Sequence, residues 1–207
     1  DVNAVVFSPD GQTILSAYTN NALRIWNITT GTCSATFQHS NSLAHNLRRV
    51  FTAAFSPDGK SFLSGGADGT MKLWSTEDPS MPLTTFPARG SAICAVAFSS
   101  NGKTILCGCE QTVVLCSTDS GTIIKQFQLQ TRGRAVRDLA FSPDGSAMLV
   151  VHLASNPRVY SIETGECLVS LKCYALAALF SPDGRTIWTG DSKGAVMQWS
   201  TPETCRS

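Results

Sequence analysis

The sequence carries little charge and no long apolar run. Lys, Arg, Asp and Glu make up 15% of its 207 residues and nearly balance, leaving a net charge of +1. An average soluble domain is about a quarter charged. No global field of either sign is therefore available to draw the chain onto nucleic acid or a membrane surface. No apolar stretch approaches the ~20 residues that a spanning helix needs. The first residues lack the charged flank, apolar centre and small-residue cleavage site of a secretory leader. Neither a Cys-x-x-Cys pair nor a glycine-rich phosphate loop occurs, so zinc and nucleotide chemistry have no motif to rest on. The chain starts at Asp1 without a methionine and is expected to be a piece of something longer.

What is present is a repeat. Phe7-Ser8-Pro9-Asp10-Gly11 returns at Phe55 to Gly59, at Phe98-Ser99-Ser100-Asn101-Gly102, at Phe141 to Gly145 and at Phe180 to Gly184. The five phenylalanines lie 48, 43, 43 and 39 residues apart. A period of this size marks a repeat architecture in which no unit buries its apolar face without its neighbours. Val, Ile, Leu, Thr, Ser and Ala fill the place of the missing charge, which suits an all-β protein.

The second unit is the clearest copy. Residues 50–55 are apolar almost throughout, as expected of a strand buried on both faces. Ser56-Pro57-Asp58-Gly59 is a turn, with proline presetting one dihedral and glycine accepting the other. Residues 61–64 form a second strand, Ala67-Asp68-Gly69 a second turn, 70–74 an alternating third strand and 83–86 a fourth. Four short antiparallel strands per ~43 residues is one blade of a β-propeller. Blades are expected over 2–37, 50–86, 93–129, 136–171 and 175–207, as one propeller domain or fragment spanning 1–207. The fifth stops at Cys205, where its outer strand should begin, and leaves residues 195–199 with an unpaired edge. Such an edge invites a further strand from the same chain or from a partner.

Spacing within the units is tight. From each turn phenylalanine to the aromatic of the third strand (or Cys116) the distances are 19, 19, 18, 19 and 19 residues. From there to Phe37, Phe86, Phe127 or Leu171 they are 11, 12, 11 and 11, and onward to the next phenylalanine 18, 12, 14 and 9. Length variation is concentrated in the connections between blades, and variable loops on a fixed scaffold commonly carry binding specificity. Of the eight cysteines, Cys33, Cys167 and Cys205 repeat with the fold, each trailing a third-strand aromatic by six or seven residues. They would sit in separate blades, so free thiols in a reducing intracellular compartment, cytoplasmic or nuclear, are expected.

Phe-Ser-Pro-Asp-Gly, Ser64-Gly65-Gly66-Ala67-Asp68-Gly69 with Leu73-Trp74, and Thr164-Gly165-Glu166-Cys167-Leu168 together resemble the WD-repeat (tryptophan–aspartate) propeller family over essentially the whole chain. The dipeptide that names the family is nowhere intact, since Trp26, Trp74 and Trp199 are followed by Asn27, Ser75 and Ser200. The Gly-His pair that usually opens a repeat is also missing. The resemblance implies a non-enzymatic platform whose face and rim hold peptides and proteins, most often on seven blades. Five repeats with an unfinished last blade imply part of a larger ring, with a closed five-bladed ring as the alternative.

Candidate sites divide into chemistry and binding. His45, Ser64 and Asp68 have the residue types of a nucleophile, base and orienter. The resemblance instead makes His45, Ser64, Asp68 and Trp74 a structural hydrogen-bond network, with His45 one residue off the usual offset. Cys107, Cys109 and Cys116 lie on adjacent strands, but Cys107 stands where Ser64 stands and Cys116 where Trp74 stands, so they are expected to be small framework filler. His39 falls in a long loop and His152 in a second strand, neither at ligand spacing, and both are read as ordinary residues. Asp138 is the lone acid of an innermost strand, where a propeller hydrolase would need paired carboxylates. No catalytic residue, metal or cofactor is expected.

Charge placement points to a partner surface. Arg48, Arg49, Arg89, Arg132, Arg134 and Lys172 fall in or beside the inter-blade connections. Glu77, Asp78, Asp119, Glu163 and Glu203 fall in the loops from third to fourth strand, on the opposite face. The arginines are the candidate partner-binding residues, suited to other proteins and to acidic or phosphorylated peptides. The alternative is phosphate-rich nucleic acid or phosphoinositide on the same loops. The lack of interleaved aromatics and of a strongly basic charge argues against nucleic acid.

Overall fold

The structure is a computed structural model and describes all residues except 41–46, 48, 88–90, 130–134, 154 and 203–207. The described residues form five antiparallel sheets with strands in sequence order. The first holds β1 (Val2–Phe7), β2 (Thr13–Tyr18), β3 (Ala22–Asn27) and β4 (Cys33–Gln38). The second holds β5 (Val50–Phe55), β6 (Ser61–Gly66), β7 (Thr70–Ser75) and β8 (Thr84–Pro87). In the third are β9 (Ile93–Phe98), β10 (Thr104–Cys109), β11 (Thr112–Ser117) and β12 (Ile123–Gln128). In the fourth are β13 (Val136–Phe141), β14 (Ala147–His152), β15 (Arg158–Ser161) and β16 (Cys167–Ser170). The fifth has three described strands, β17 (Ala177–Phe180), β18 (Thr186–Gly190) and β19 (Val196–Ser200). Residues 203–207, where an outer strand was expected to start, lie outside the described residues.

The period-2 alternation of a strand decides how the sheets pack. On β6, Phe62 belongs to the core shared with the first sheet, together with Leu15, Leu23, Phe37 and Trp74. Its neighbour Leu63 belongs to the core shared with the third sheet, with Phe86, Ile93 and Ile105. The same division runs along β10, where Leu106 faces the fourth sheet and Ile105 the second. On β14, Met148 and Leu149 part in the same way. Each core therefore belongs to a pair of consecutive sheets, and β14 is buried at all six positions. The first strands pack against one another from sheet to sheet, which puts them nearest a common axis.

The two flanking sheets keep one apolar face open. Val5 and Phe7 are 58% and 64% exposed on the outer face of β1, and Leu179 and Val196 are 57% and 70% exposed on that of the fifth sheet.

The recurring turn is built by more residues than its proline and glycine. In its first copy the Ser8 hydroxyl donates to Asp10 Oδ1 at 2.6 Å and accepts the Thr13 N–H at 2.9 Å. Asp10 Oδ1 also accepts the Gln12 N–H, and the Gly11 N–H closes on the Ser8 carbonyl, both at 2.9 Å. The serine–carboxyl (or carboxamide) bond repeats at Ser56–Asp58, Ser99–Asn101, Ser142–Asp144 and Ser181–Asp183, at 2.6, 2.8, 2.5 and 2.5 Å. Glycine completes the turn with φ between 68° and 74° in Gly11, Gly59, Gly102, Gly145 and Gly184, a region costly for other residues. The serine hydroxyl bonds lower Asp10, Asp58 and Asp183 below the usual carboxylate value.

Ser56 is nearly buried, and its removal would strand the Ser61 N–H. Ser56→Ala is expected to cost about 1–2 kcal/mol, lowering Tm by a few degrees. Gln12→Ala, which touches only an exposed side chain, should leave Tm unchanged. A melting experiment that finds both variants equal to the parent would contradict this account of the turn.

Candidate functional site

Antiparallel strands in sequence order send alternate connections to opposite ends of each sheet. Residues 8–12, 56–60, 99–103, 142–146 and 181–185 join first to second strands with five residues in every blade. They share an end with the third-to-fourth strand loops. The other end holds the second-to-third strand turns and the inter-blade connections, which span 39–49, 88–92, 129–135 and 171–176. At the first end the turns are constant and the third-to-fourth strand loops are five residues except for the eight of 76–83; the inter-blade end varies more.

At the variable end of the second sheet lies a buried polar network. His39 follows β4 and is fully buried. Its Nδ1 is 2.7 Å from Ser64 Oγ, and its Nε2 is 3.2 Å from Asp68 Oδ1 and 3.3 Å from Thr70 Oγ1. Ser64 Oγ also accepts the indole N–H of Trp74 at 2.8 Å. The carboxylate can only accept, so Nε2 carries the hydrogen facing Asp68; Nδ1 accepts the Ser64 hydroxyl hydrogen in the neutral ring and donates to Ser64 Oγ in the charged one. Lys72 Nζ caps the set by donating to the His39 carbonyl. Gly66 makes room: a Cβ there would lie 2.6 Å from the Arg49 carbonyl oxygen and 3.1 Å from His39 Nε2.

Burial alone would raise the Asp68 carboxyl. The hydrogen bond and charge of His39, with the Thr70 N–H and hydroxyl, outweigh it and bring Asp68 from 3.8 to about 2. The arrangement is structural in its geometry. Ser64 is fully buried and its hydroxyl is held by both Trp74 and His39. A nucleophile so placed has no path to a substrate, and a satisfied buried network rigidifies its surroundings.

Sequence reasoning put His45 in this network; His45 lies outside the described residues, and His39, read as an ordinary loop residue, is the histidine that binds Ser64 and Asp68. Its offset from Ser64 is masked by the 11-residue connection 39–49. The tryptophan–hydroxyl pair recurs without histidine in Trp26–Ser16 (2.8 Å) and Trp199–Thr189 (3.0 Å). In the third sheet Cys107 and Cys116 take those two positions, both buried and free. Burial raises both thiols, Cys116 to about 11. Among the described residues no group of three or more His, Cys, Asp or Glu is arranged to hold a metal ion. Asp138 ties β13 to β17: its carboxylate accepts the Leu139 N–H at 2.9 Å and the Ala178 N–H at 3.4 Å. Burial nonetheless pushes its carboxyl up.

Of the candidate binding arginines, Arg49 alone is described. It is exposed, and its carbonyl accepts the Ala67 N–H at 2.8 Å, which sets it beside the Asp68 turn. Arg48, Arg89, Arg132 and Arg134 lie outside the described residues. Lys172 and Lys193 are exposed at the same end, as is the acidic Glu110. The acids of the opposite end lie mainly in its third-to-fourth strand loops. To Glu77, Asp78, Asp119 and Glu163 the turns add the exposed carboxylates Asp10, Asp58, Asp144 and Asp183, largely offset by the exposed Lys60, Lys103 and Arg185 of the same turns.

The family described as WD domain, G-beta repeat matches residues 1–27, 31–75 and 80–117, more than half of the chain. The U3 small nucleolar RNA-associated protein 18 homolog of Mus musculus is 31% identical over 107 residues, covering 49% of this chain and 19% of that protein. Its Homo sapiens counterpart is 29% identical over the same length and coverage. Periodic tryptophan protein 2 of Arabidopsis thaliana is 26% identical over 218 residues, covering 98% of this chain and 22% of that protein. The chain thus spans about a fifth of the length of these relatives.

Asp68 supplies a pH test. Its folded value is depressed, so its contribution is full above the unfolded value of 3.8 and is lost as pH falls from there through about 2. The gap corresponds to roughly 2 kcal/mol, or about 1 kcal/mol once solvent screening is allowed for. Urea midpoints measured from pH 5 to 2 should fall more steeply for the parent than for Asp68→Asn. Parallel curves would remove Asp68 from the network's energetics.

Proposed function

Because the chain belongs to the WD domain, G-beta repeat family, we propose that it is a non-catalytic platform that holds protein partners on its variable end. The observation that carries this reading is the contrast between ends. The first-to-second strand turns are five residues in every blade, while the inter-blade connections run from five residues (88–92) to eleven (39–49). A scaffold whose loops vary most at one end concentrates specificity there. Arg48, Arg49, Arg89, Arg132 and Arg134 are the proposed contacts, chosen for acidic or phosphorylated segments that a guanidinium pairs with bidentately.

A larger ring is part of the proposal. The open apolar faces of the first and fifth sheets, with Phe7 on one flank and Leu179 on the other, support an arc continued by further blades over a closed five-bladed ring. The proposed setting is intracellular. Association with a small nucleolar RNA, carried in the names of two relatives, favours the nucleus over the cytoplasm.

Those names also favour a second reading, in which the same arginines meet the phosphates of an RNA. Salt separates the two. A phosphate-backbone contact weakens steeply with salt through counterion release, whereas a mixed protein interface weakens less.

The test is affinity capture with the full-length protein, intact and with the five arginines reversed to Glu. Loss of a defined protein set from a still-folded variant is the expected result. An unchanged set would remove this end as the binding surface. Loss of bound RNA alone, with a steep salt dependence, would replace the protein reading with the second one.

A further inference from the structure

One register position is filled differently in the third sheet, and a pocket lies beside it. The residue that pairs with the second position of the second strand is Trp26 opposite Ile14, Trp74 opposite Phe62, Tyr160 opposite Met148 and Trp199 opposite Ile187. In the third sheet it is Cys116, opposite Ile105.

The indole of Trp74 shows what normally fills that place. It packs toward the first sheet, 5.6 Å from the Phe37 ring with an interplanar angle of 73°, and lies stacked on Phe62 at 6.2 Å. Phe86 is the counterpart of Phe37 one sheet on, and it faces a thiol where Phe37 faces an indole. Between the second and third sheets is a pocket of about 170 Å³, lined by Met71, Phe86, Cys107, Val114, Cys116 and Ile123. Met71, Phe86, Cys107 and Cys116 are buried, and half-exposed Ile123 stands at its mouth.

The chemistry of the lining selects the occupant. Val114 pairs with Cys107 where Lys72 pairs with Ser64 in the second sheet, so the pocket has lost both the hydroxyl and the ammonium of its counterpart. Burial keeps the two thiols protonated, leaving no charge to attract an ion. Three sulfur atoms and one phenyl ring remain, and sulfur makes favourable contacts with aromatic edges. An apolar cavity of about 150 Å³ admits a benzene ring.

We propose that this pocket binds a small uncharged aromatic group of one ring or two fused rings, at the position that an indole occupies in three other blades. The group is a free molecule or a ring carried on a peptide; both have the same chemistry at the pocket.

The test follows the Met71 ε-methyl signal by NMR in the full-length protein. The probes are indole, as the free molecule, and N-acetyl-tryptophanamide, as the peptide-borne ring. A saturable shift of Met71 with Kd on the order of 1 mM or tighter, while Met148 in the next core stays put, is expected. Binding of both probes admits a peptide side chain, and binding of indole alone restricts the site to free molecules; either supports the site. Cys116→Trp supplies the indole covalently and should abolish the shift, raising Tm as it fills the pocket. Ile123→Trp narrows the mouth without touching the core and should weaken binding at least about tenfold. It decides the matter if Cys116→Trp does not fold. An unmoved Met71 with both probes, or indole binding undiminished by Ile123→Trp and Cys116→Trp, would overturn the proposal.

Discussion

A sheet that is apolar on both faces cannot stand in water alone, and the rest of this molecule follows from that. Phe62 and Leu63 are chain neighbours, yet pleating sends them into different cores, one shared with each adjacent sheet. No sheet owns a core. Each of the three middle sheets contributes half of two, so stability belongs to the contacts between sheets. The open apolar faces at Phe7 and Leu179 are the places where that rule is left unmet among the described residues.

The turns make this stacking repeatable. In each, a serine hydroxyl ties an Asp or Asn side chain to the backbone of the next strand, as Ser56 does for Asp58 and Ser61. That keeps the connection at five residues in all five blades. It also arms one end of the molecule with exposed carboxylates whose hydrogen bonds hold them ionised.

Much of the fold was legible because repetition reports it several times over. The phenylalanine spacing, the Pro-Asp-Gly turn and the apolar second strands are each visible in more than one copy, and the described sheets carry the expected strands. The site was harder, because it occurs once. Ser64, Asp68 and Trp74 could be found from their positions on β6, β7 and the turn between them, where the spacing is rigid. His39 could not, because a long connection separates it from its partners and nothing local marks it as buried. The serine of the turn was passed over for a different reason. Proline and glycine announce their backbone effect, whereas a hydroxyl reveals its role only through the partners it reaches. The pocket at Cys116 escaped notice because a cysteine read as filler says nothing of the Phe86 ring across the interface.

Cores divided between sheets also bear on how such a chain can be rearranged. The unit that repeats in sequence is one blade, but the unit that packs is the wedge between two second strands, from Leu63 through Phe86 to Ile105. Exchange of one blade for another, cut cleanly at its turns, would replace half of two wedges at once. A substitution on one side of a wedge therefore changes what the facing sheet packs against, as Cys116 does for Phe86.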